Sequence, residues 1–311
     1  MATMAEQLAG RRPHDWQLPV WGAVAVGGNG AAVLPAVAAI ACCQIAIILL
    51  DDMLDEDERG YYRQLGLAQT ANLASAFQAT ALELVAGCAA SRPVRLQAMA
   101  WLNQMMAMTA LGQQWDCQNP AGEADYWQLI RTKSSPFFGT ALAVGALLGG
   151  ADLSLAEQLG QFGRLYGEMI QIHDDLHDTM AVPAGADWLQ GRFPLPILYA
   201  QLVDHPSRER FRTLRQQIVD HPSLLHEGQQ ILLQCGAISY CIHQLLSQIA
   251  QAQTMLTQLP LPNPQPLQEL LAQLTRPVQT LLHTVTYPAP TDQTALSTLV
   301  SAPSQQPPSC S

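Results

Sequence analysis

From Trp21 to Leu50 the chain carries no charged residue, and then six acids, Asp51, Asp52, Asp55, Glu56, Asp57 and Glu58, fall within eight positions. An apolar stretch of that length has to be buried, and Gly27-Gly28-Asn29-Gly30 divides it at a turn. The pattern predicts two buried helices, the second running from about Ala31 to Asp55 and delivering the acids at its end. Pro35, Gln44 and the acidic terminus argue against a membrane span, so no integral membrane segment is expected. On a helix, residues four apart share a face, so Asp51 and Asp55 stand one above the other, with Asp52 turned about 100° around the axis. Like charges ~4 Å apart repel by roughly 4 kcal/mol at an effective dielectric of about 20. Such a cluster needs countercharge, and Mg²⁺, a hard cation held by one or two carboxylates together with phosphate oxygens, answers the need. For one cluster alone, a solvated helix end is an equal alternative.

A second cluster repeats the spacing. In Gln171-Ile172-His173-Asp174-Asp175-Leu176-His177-Asp178, Asp174 and Asp178 are four apart with Asp175 beside the first. It also follows a helical stretch, in which Phe162, Leu165, Tyr166, Met169, Ile170 and Leu176 recur at steps of three and four. Two D-D-x-x-D patterns, each closing an apolar helix, suggest acid patches that face each other across a bundle core, where cations bridge both to a diphosphate.

Composition narrows the class. Hydrophobic residues make up 49% of the 311 positions and charged residues 13%, with Ala, Leu and Gln prominent and strand-like alternation scarce. The expectation is an all-α, single bundle of roughly ten or more helices around an apolar cavity, spanning 1–285, followed by a disordered tail over 286–311. A net charge of −10 excludes a sequence-independent hold on nucleic acid, which rests on Lys and Arg. Seven cysteines without a C-x-x-C pair suit a reducing compartment, and a cytoplasmic location is expected.

Within the chain, Met99, Met105, Met106 and Met108 read as core filler rather than a cofactor box. Ser134-Ser135-Pro136 interrupts a helix just after Lys133 and places a cation and hydroxyls in mid-bundle, as a phosphate contact or as a simple kink. Between Met180 and Pro196, Pro and Gly replace helix signals, which predicts a mobile loop carrying Arg192. Arg208, Arg210, Arg212 and Arg215 read as a solvated face.

Taken together, the paired motifs, Gln171 three before the second, Lys133 in Arg131-Thr132-Lys133-Ser134, and Gly185 to Pro196 resemble the trans-isoprenyl diphosphate synthases, from about Arg12 to about Leu259. The resemblance implies the isoprenoid synthase fold, a homodimer, and three Mg²⁺ ions holding an allylic prenyl diphosphate. It places Asp51, Asp52, Asp55, Asp174, Asp175 and Asp178 at the metals and Arg59, Lys133, Gln171 and Arg192 on the diphosphate. Asp51, Asp55, Asp174 and Lys133 would carry catalysis.

The departures from the family pattern concern the condensing substrate, isopentenyl diphosphate. Gly10-Arg11-Arg12-Pro13 replaces the family's G-G-K-x-R-P segment, Gln44 a histidine, and Glu58-Arg59 an arginine pair. The chain therefore resembles most closely the class I terpene synthases built on this scaffold, which ionise a prenyl diphosphate without extending it. In the family, the residues four and five before the first aspartate sit beneath the growing chain. Here they are Ile47 and Ala46, so the pocket, completed by Phe77, Trp101, Phe137 and Phe138, is expected to accept a twenty-carbon diphosphate and release a diterpene hydrocarbon or alcohol. A chain-elongating synthase, a non-catalytic subunit of a heteromeric synthase, and a His173/His177 metal site for Zn²⁺ or iron are the rival readings.

Overall fold

The computed structural model describes residues 14–116 and 118–286, and among them every regular element is a helix. The first half of the chain forms α1 (Leu18–Ala25), α2 (Leu34–Leu54), α3 (Tyr62–Leu65), α4 (Leu67–Ala86), α5 (Arg92–Asp116), α6 (Glu123–Lys133) and α7 (Ser135–Leu148). The second half forms α8 (Leu153–Met180), α9 (Ala186–Leu189), α10 (Leu195–Leu202), α11 (Arg208–Gln217), α12 (Leu225–Gln234), α13 (Ala237–Gln258) and α14 (Gln265–Thr286). The segment 10–13 and the tail beyond Thr286 lie outside the described residues.

The chain divides into two compact units: Met1–Gln171 with Ala250–Glu269, and Ile172–Ile249 with Leu270–Ser311. In the first, α7 is the central helix, with every residue from Ser135 to Leu147 buried. Its composition allows this, because the glycines and alanines let neighbours approach to backbone contact. A Cβ on Gly145 would lie 2.1 Å from the carbonyl oxygen of Pro19, so α1 and α7 touch main chain to main chain there. A side chain at that position has no room.

The apolar run behaves as its turn residues dictate. Gly27 takes a left-handed conformation at φ 80°, and a 3₁₀ turn over Gly30–Val33 leads into α2 with Pro35 in its first turn. By length and composition Gly30–Leu54 could cross a membrane, yet half of its most apolar window is buried within the protein. Ala36, Ala39, Ile40, Ala46 and Leu49 are at most 1% exposed. Ile45, Ala46 and Leu49 of α2 pack against Ala74 and Phe77 of α4 in one apolar cluster.

The second unit is built around Trp188, Ile197, Phe211, Leu214, Ile218 and Leu232. Two sequence expectations change here. The Met180–Pro196 segment, expected to be a mobile loop, is pinned by Trp188, which is 1% exposed, packs edge-to-face on Phe211 and donates from Nε1 to the Thr179 carbonyl at 2.9 Å. Burying an aromatic of that size outweighs the weak helix signals around it. Arg215, expected on a solvated face, is instead buried at 7% exposure, while Arg208, Arg210 and Arg212 make ion pairs on the surface.

Candidate active site

At the C-terminal end of α2, Asp51 and Asp52 occupy the last turn and Asp55 is the cap. A helix C-terminus is already the negative end of the peptide dipole, so these carboxylates add repulsion to repulsion. The first unit answers with Lys133, the last residue of α6. Its Nζ lies 3.1 Å from Asp51 Oδ1 and donates to Asp116 Oδ2, while Gln113 Nε2 donates to Asp55 Oδ1 at 3.3 Å. Desolvation by burial pulls the Lys133 pKa down, but the charges of Asp51, Asp116 and Asp55, with the Asp116 hydrogen bond, outweigh it and raise the pKa above the ordinary lysine value. Lys133 is a fixed cation.

Three features set its position. Gly112 of α5 lies against the α6 terminus, where a Cβ would stand 2.5 Å from the Lys133 nitrogen. Thr109 Oγ1 donates to the Lys133 carbonyl at 3.1 Å. The chain then breaks at Ser134 before α7 begins on Ser135-Pro136, and Ser134 Oγ donates to Gln171 Oε1 at 2.9 Å. The interruption after Lys133 thus ends α6 with its ammonium beside the α2 acids. Asp116 is the partner that sequence reading missed, since an isolated acid before a loop carries no spacing signal.

Asp51 Oδ1 is buried and, despite the nearby ammonium, makes no directed hydrogen bond. A hard oxygen donor with unused acceptor capacity suits Mg²⁺, and Asp52 and Asp55 are further carboxylates on the same helix end. Among the described residues no group of three or more His, Cys, Asp or Glu side chains is arranged to hold a metal ion.

The second cluster, at the end of α8, is differentiated by exposure. Asp174 and Asp178 have side chains 34% and 60% exposed, and each lies beside a histidine, Asp174 Oδ1 3.7 Å from His173 Nδ1 and Asp178 Oδ1 3.0 Å from His177 Nδ1. Asp175, predicted as a metal ligand, is 5% exposed and accepts from the Leu195 N–H at 2.8 Å. It satisfies an orphan donor at the start of α10. The 100° turn between neighbouring helical positions gives it surroundings different from those of Asp174.

Other predicted contacts lie elsewhere. Arg59 forms a two-pronged pair with Asp57, through Nε at 3.1 Å and Nη2 at 2.8 Å, on a side chain 77% exposed. Gln44 is 9% exposed with both ends of its amide engaged: Trp16 Nε1 donates to its Oε1, and its Nε2 donates to Asp15 Oδ2 at 3.2 Å. The expected pocket residues do not form one wall. Ala46, at 0% exposure, and Phe77 belong to the α2–α4 packing, so the predicted open floor at Ala46 is filled by neighbours. Ile47 is half-buried. Phe137 and Phe138 stack edge-to-face in the core, and Trp101 lines a separate cleft of about 350 Å³ with Met105 and Arg164.

An all-helical chain with paired acid clusters at the ends of two long helices, and a lysine locked to the first, defines a class. The chain belongs to the polyprenyl synthetase family, whose sequence pattern matches residues 22–229. It is 29% identical over 194 residues to a geranylgeranyl diphosphate synthase of Methanosarcina mazei, covering 57% of this chain and 60% of that one. It is 26% identical over 232 residues to a geranylgeranyl pyrophosphate synthase of Geoglobus acetivorans, covering 70% and 71%. The crystal structure of geranylgeranyl pyrophosphate synthetase from Pyrococcus horikoshii superposes with a TM-score of 0.78 at 21% identity over 88% of each chain, which establishes the all-α isoprenoid synthase fold. A polyprenyl synthase from Caulobacter crescentus, crystallised with calcium and isoprenyl diphosphate, gives 0.74 at 21% identity over 88% of this chain and 86% of that one.

Proposed function

We propose that the protein is a Mg²⁺-dependent isoprenyl diphosphate synthase, a prenyltransferase that ionises an allylic prenyl diphosphate and joins its cation to a second isoprenoid unit. The observation that carries this is Lys133, buried and held charged by Asp51 and Asp116 beside the α2 acid cluster. A preorganised cation of this kind stabilises the charge that builds on a departing diphosphate. Asp51, Asp52, Asp55, Asp174 and Asp178 are the residues that would hold Mg²⁺, which when bound neutralises diphosphate oxygens. Lys133, Gln171 and Arg192 remain the diphosphate-binding candidates. The relatives support this reading, since two matched over 70% or more of this chain bear the names of prenyl diphosphate synthases, a nonaprenyl and a geranylgeranyl one.

A second reading has its own observation. Where elongating enzymes are expected to present a histidine to isopentenyl diphosphate, this chain presents Gln44, tied to Trp16 and to the Asp15 carboxylate, and Arg59 is committed to Asp57. An anionic neighbour repels a diphosphate. On this reading the enzyme is a terpene synthase that releases a diterpene hydrocarbon or alcohol. One experiment separates the two. Purified protein is incubated with Mg²⁺ and either farnesyl or geranylgeranyl diphosphate, with and without labelled isopentenyl diphosphate. Label in a longer prenyl diphosphate supports the synthase; diphosphate release without isopentenyl diphosphate, giving an unlabelled terpene, replaces it with the second reading. The proposal extends to a homodimer, supported by the exposed Leu67, Leu96 and Leu111 of α4 and α5. It also extends to a reducing, cytoplasmic setting, suited by seven cysteines without a C-x-x-C pair.

A further inference from the structure

The segment that carries Arg192 is tied down at successive points within the second unit. Trp188 anchors its start, and the Arg192 N–H donates to the Asp187 carbonyl at 2.9 Å. At its end the Leu195 N–H donates to Asp175 at 2.8 Å. Between these ties stands Arg215, from the last turn of α11, which donates from Nη2 to the main-chain carbonyl of Arg192 and lays its guanidinium 4.1 Å over the centre of the Phe193 ring.

This arrangement is costly as a stability device. Arg215 is 7% exposed, and its Nε is buried without a hydrogen-bond partner. Burial pushes its pKa down to about 10 against the attraction of Asp187. A buried charge whose donors are not all hydrogen-bonded costs stability rather than supplying it. A buried cation that spends its planar donor face on one loop carbonyl and one loop aromatic therefore needs a reason beyond the fold. A guanidinium is suited to that dual task, because it stacks on a ring while it donates in its own plane.

We infer that Arg215 is a positioning residue for diphosphate binding, fixing the backbone at Arg192 and the ring of Phe193 so that the Arg192 side chain is presented from one defined place. The inference rests on the proposed role of Arg192. Holding a charged donor where the anion will sit spares the ordering that binding would otherwise require.

The test uses full-length Arg215→Met, Arg215→Lys, Arg192→Met and the Arg192→Met/Arg215→Met double variant. Thermal unfolding, affinity for inorganic diphosphate with Mg²⁺, and tryptic cleavage of the Arg192–Phe193 bond are measured for each that retains the site. Arg215→Met is expected to keep its melting temperature, to bind diphosphate at least tenfold more weakly, and to be cut faster after Arg192. Arg215→Lys, which can still donate and still sit over the ring, should recover most of the affinity. The double variant should bind no more weakly than Arg192→Met alone, because the positioning has nothing left to position. Additive losses, or wild-type affinity in Arg215→Met beside a loss in Arg192→Met, overturn this inference alone. Wild-type affinity in Arg192→Met overturns the role of Arg192 and the inference with it. Should Arg215→Met fail to fold, Phe193→Leu takes its place: faster cleavage with weaker binding supports the clamp, and wild-type values in both overturn it.

Discussion

Neighbouring aspartates in one motif stand in different surroundings, Asp174 partly exposed and Asp175 buried, and single substitutions should expose the difference. Asp174→Ala is expected to lower turnover more than tenfold, a barrier rise above about 1.4 kcal/mol, while shifting stability by no more than about 0.5 kcal/mol. Asp175→Ala should cost about 1–2 kcal/mol of stability in chemical unfolding, because it strands the Leu195 N–H at the start of α10. If the two variants showed the opposite pattern, the assignment of the second cluster would be wrong. Lys133 gives a pH signature. A base whose folded pKa is raised contributes its full stabilisation below its unfolded value of about 10.4 and loses it as pH rises through the higher folded value. Wild type should therefore lose stability relative to Lys133→Met only at alkaline pH beyond about 10.4, read from melting curves across that range. The acids were legible in the sequence because two copies of one spacing are hard to obtain by chance. Asp116, the Asp57 partner of Arg59 and the burial of Arg215 were not, since each depends on an element distant in sequence or on which way one side chain turns.

Helix by helix, the periodic signals held where the sequence is long and regular, as in α2, α5 and α8. Turn chemistry at Gly27–Gly30 and the break at Ser134–Pro136 placed their boundaries. What periodicity misses is where one helix allows another to come close. Gly112 sits four residues before the end of α5, still inside the helix, where a glycine costs up to about 1 kcal/mol relative to alanine in propensity. It is there because α6 delivers the Lys133 backbone against it. Gly112→Ala should gain propensity yet lose more through overpacking of about 1–3 kcal/mol, since the Cβ would stand 2.5 Å from a main-chain nitrogen. The accompanying shift of Lys133 should lower turnover further than the stability loss explains. An unfolding midpoint and a turnover rate both at or above wild type would show that α5 and α6 have slack the packing does not suggest. The short α9 was illegible for a related reason: one tryptophan among Pro and Gly gives no period, although its burial organises the segment.

Across the whole molecule, charge decides how the fold responds to its proposed ligands. The chain carries 25 acids against 15 Lys and Arg, and it concentrates acids at the C-terminal ends of α2 and α8. No three metal-ligating side chains among the described residues form a ready cation cage. Mg²⁺ alone should then bind weakly and move the melting temperature little. Adding inorganic diphosphate supplies the missing oxygens and the anion that Lys133 awaits, so the pair together should stabilise strongly. At a hundred times the dissociation constant, binding to the folded state alone adds about 2.7 kcal/mol. The measurement is a melting scan with Mg²⁺, diphosphate, both and neither, repeated in Asp51→Ala. A large shift that needs both components and disappears in Asp51→Ala is the expected result. An equal shift with Mg²⁺ alone would mean that the carboxylates close into a cage unaided, and a shift with diphosphate alone would hand the site to Lys133 without any metal.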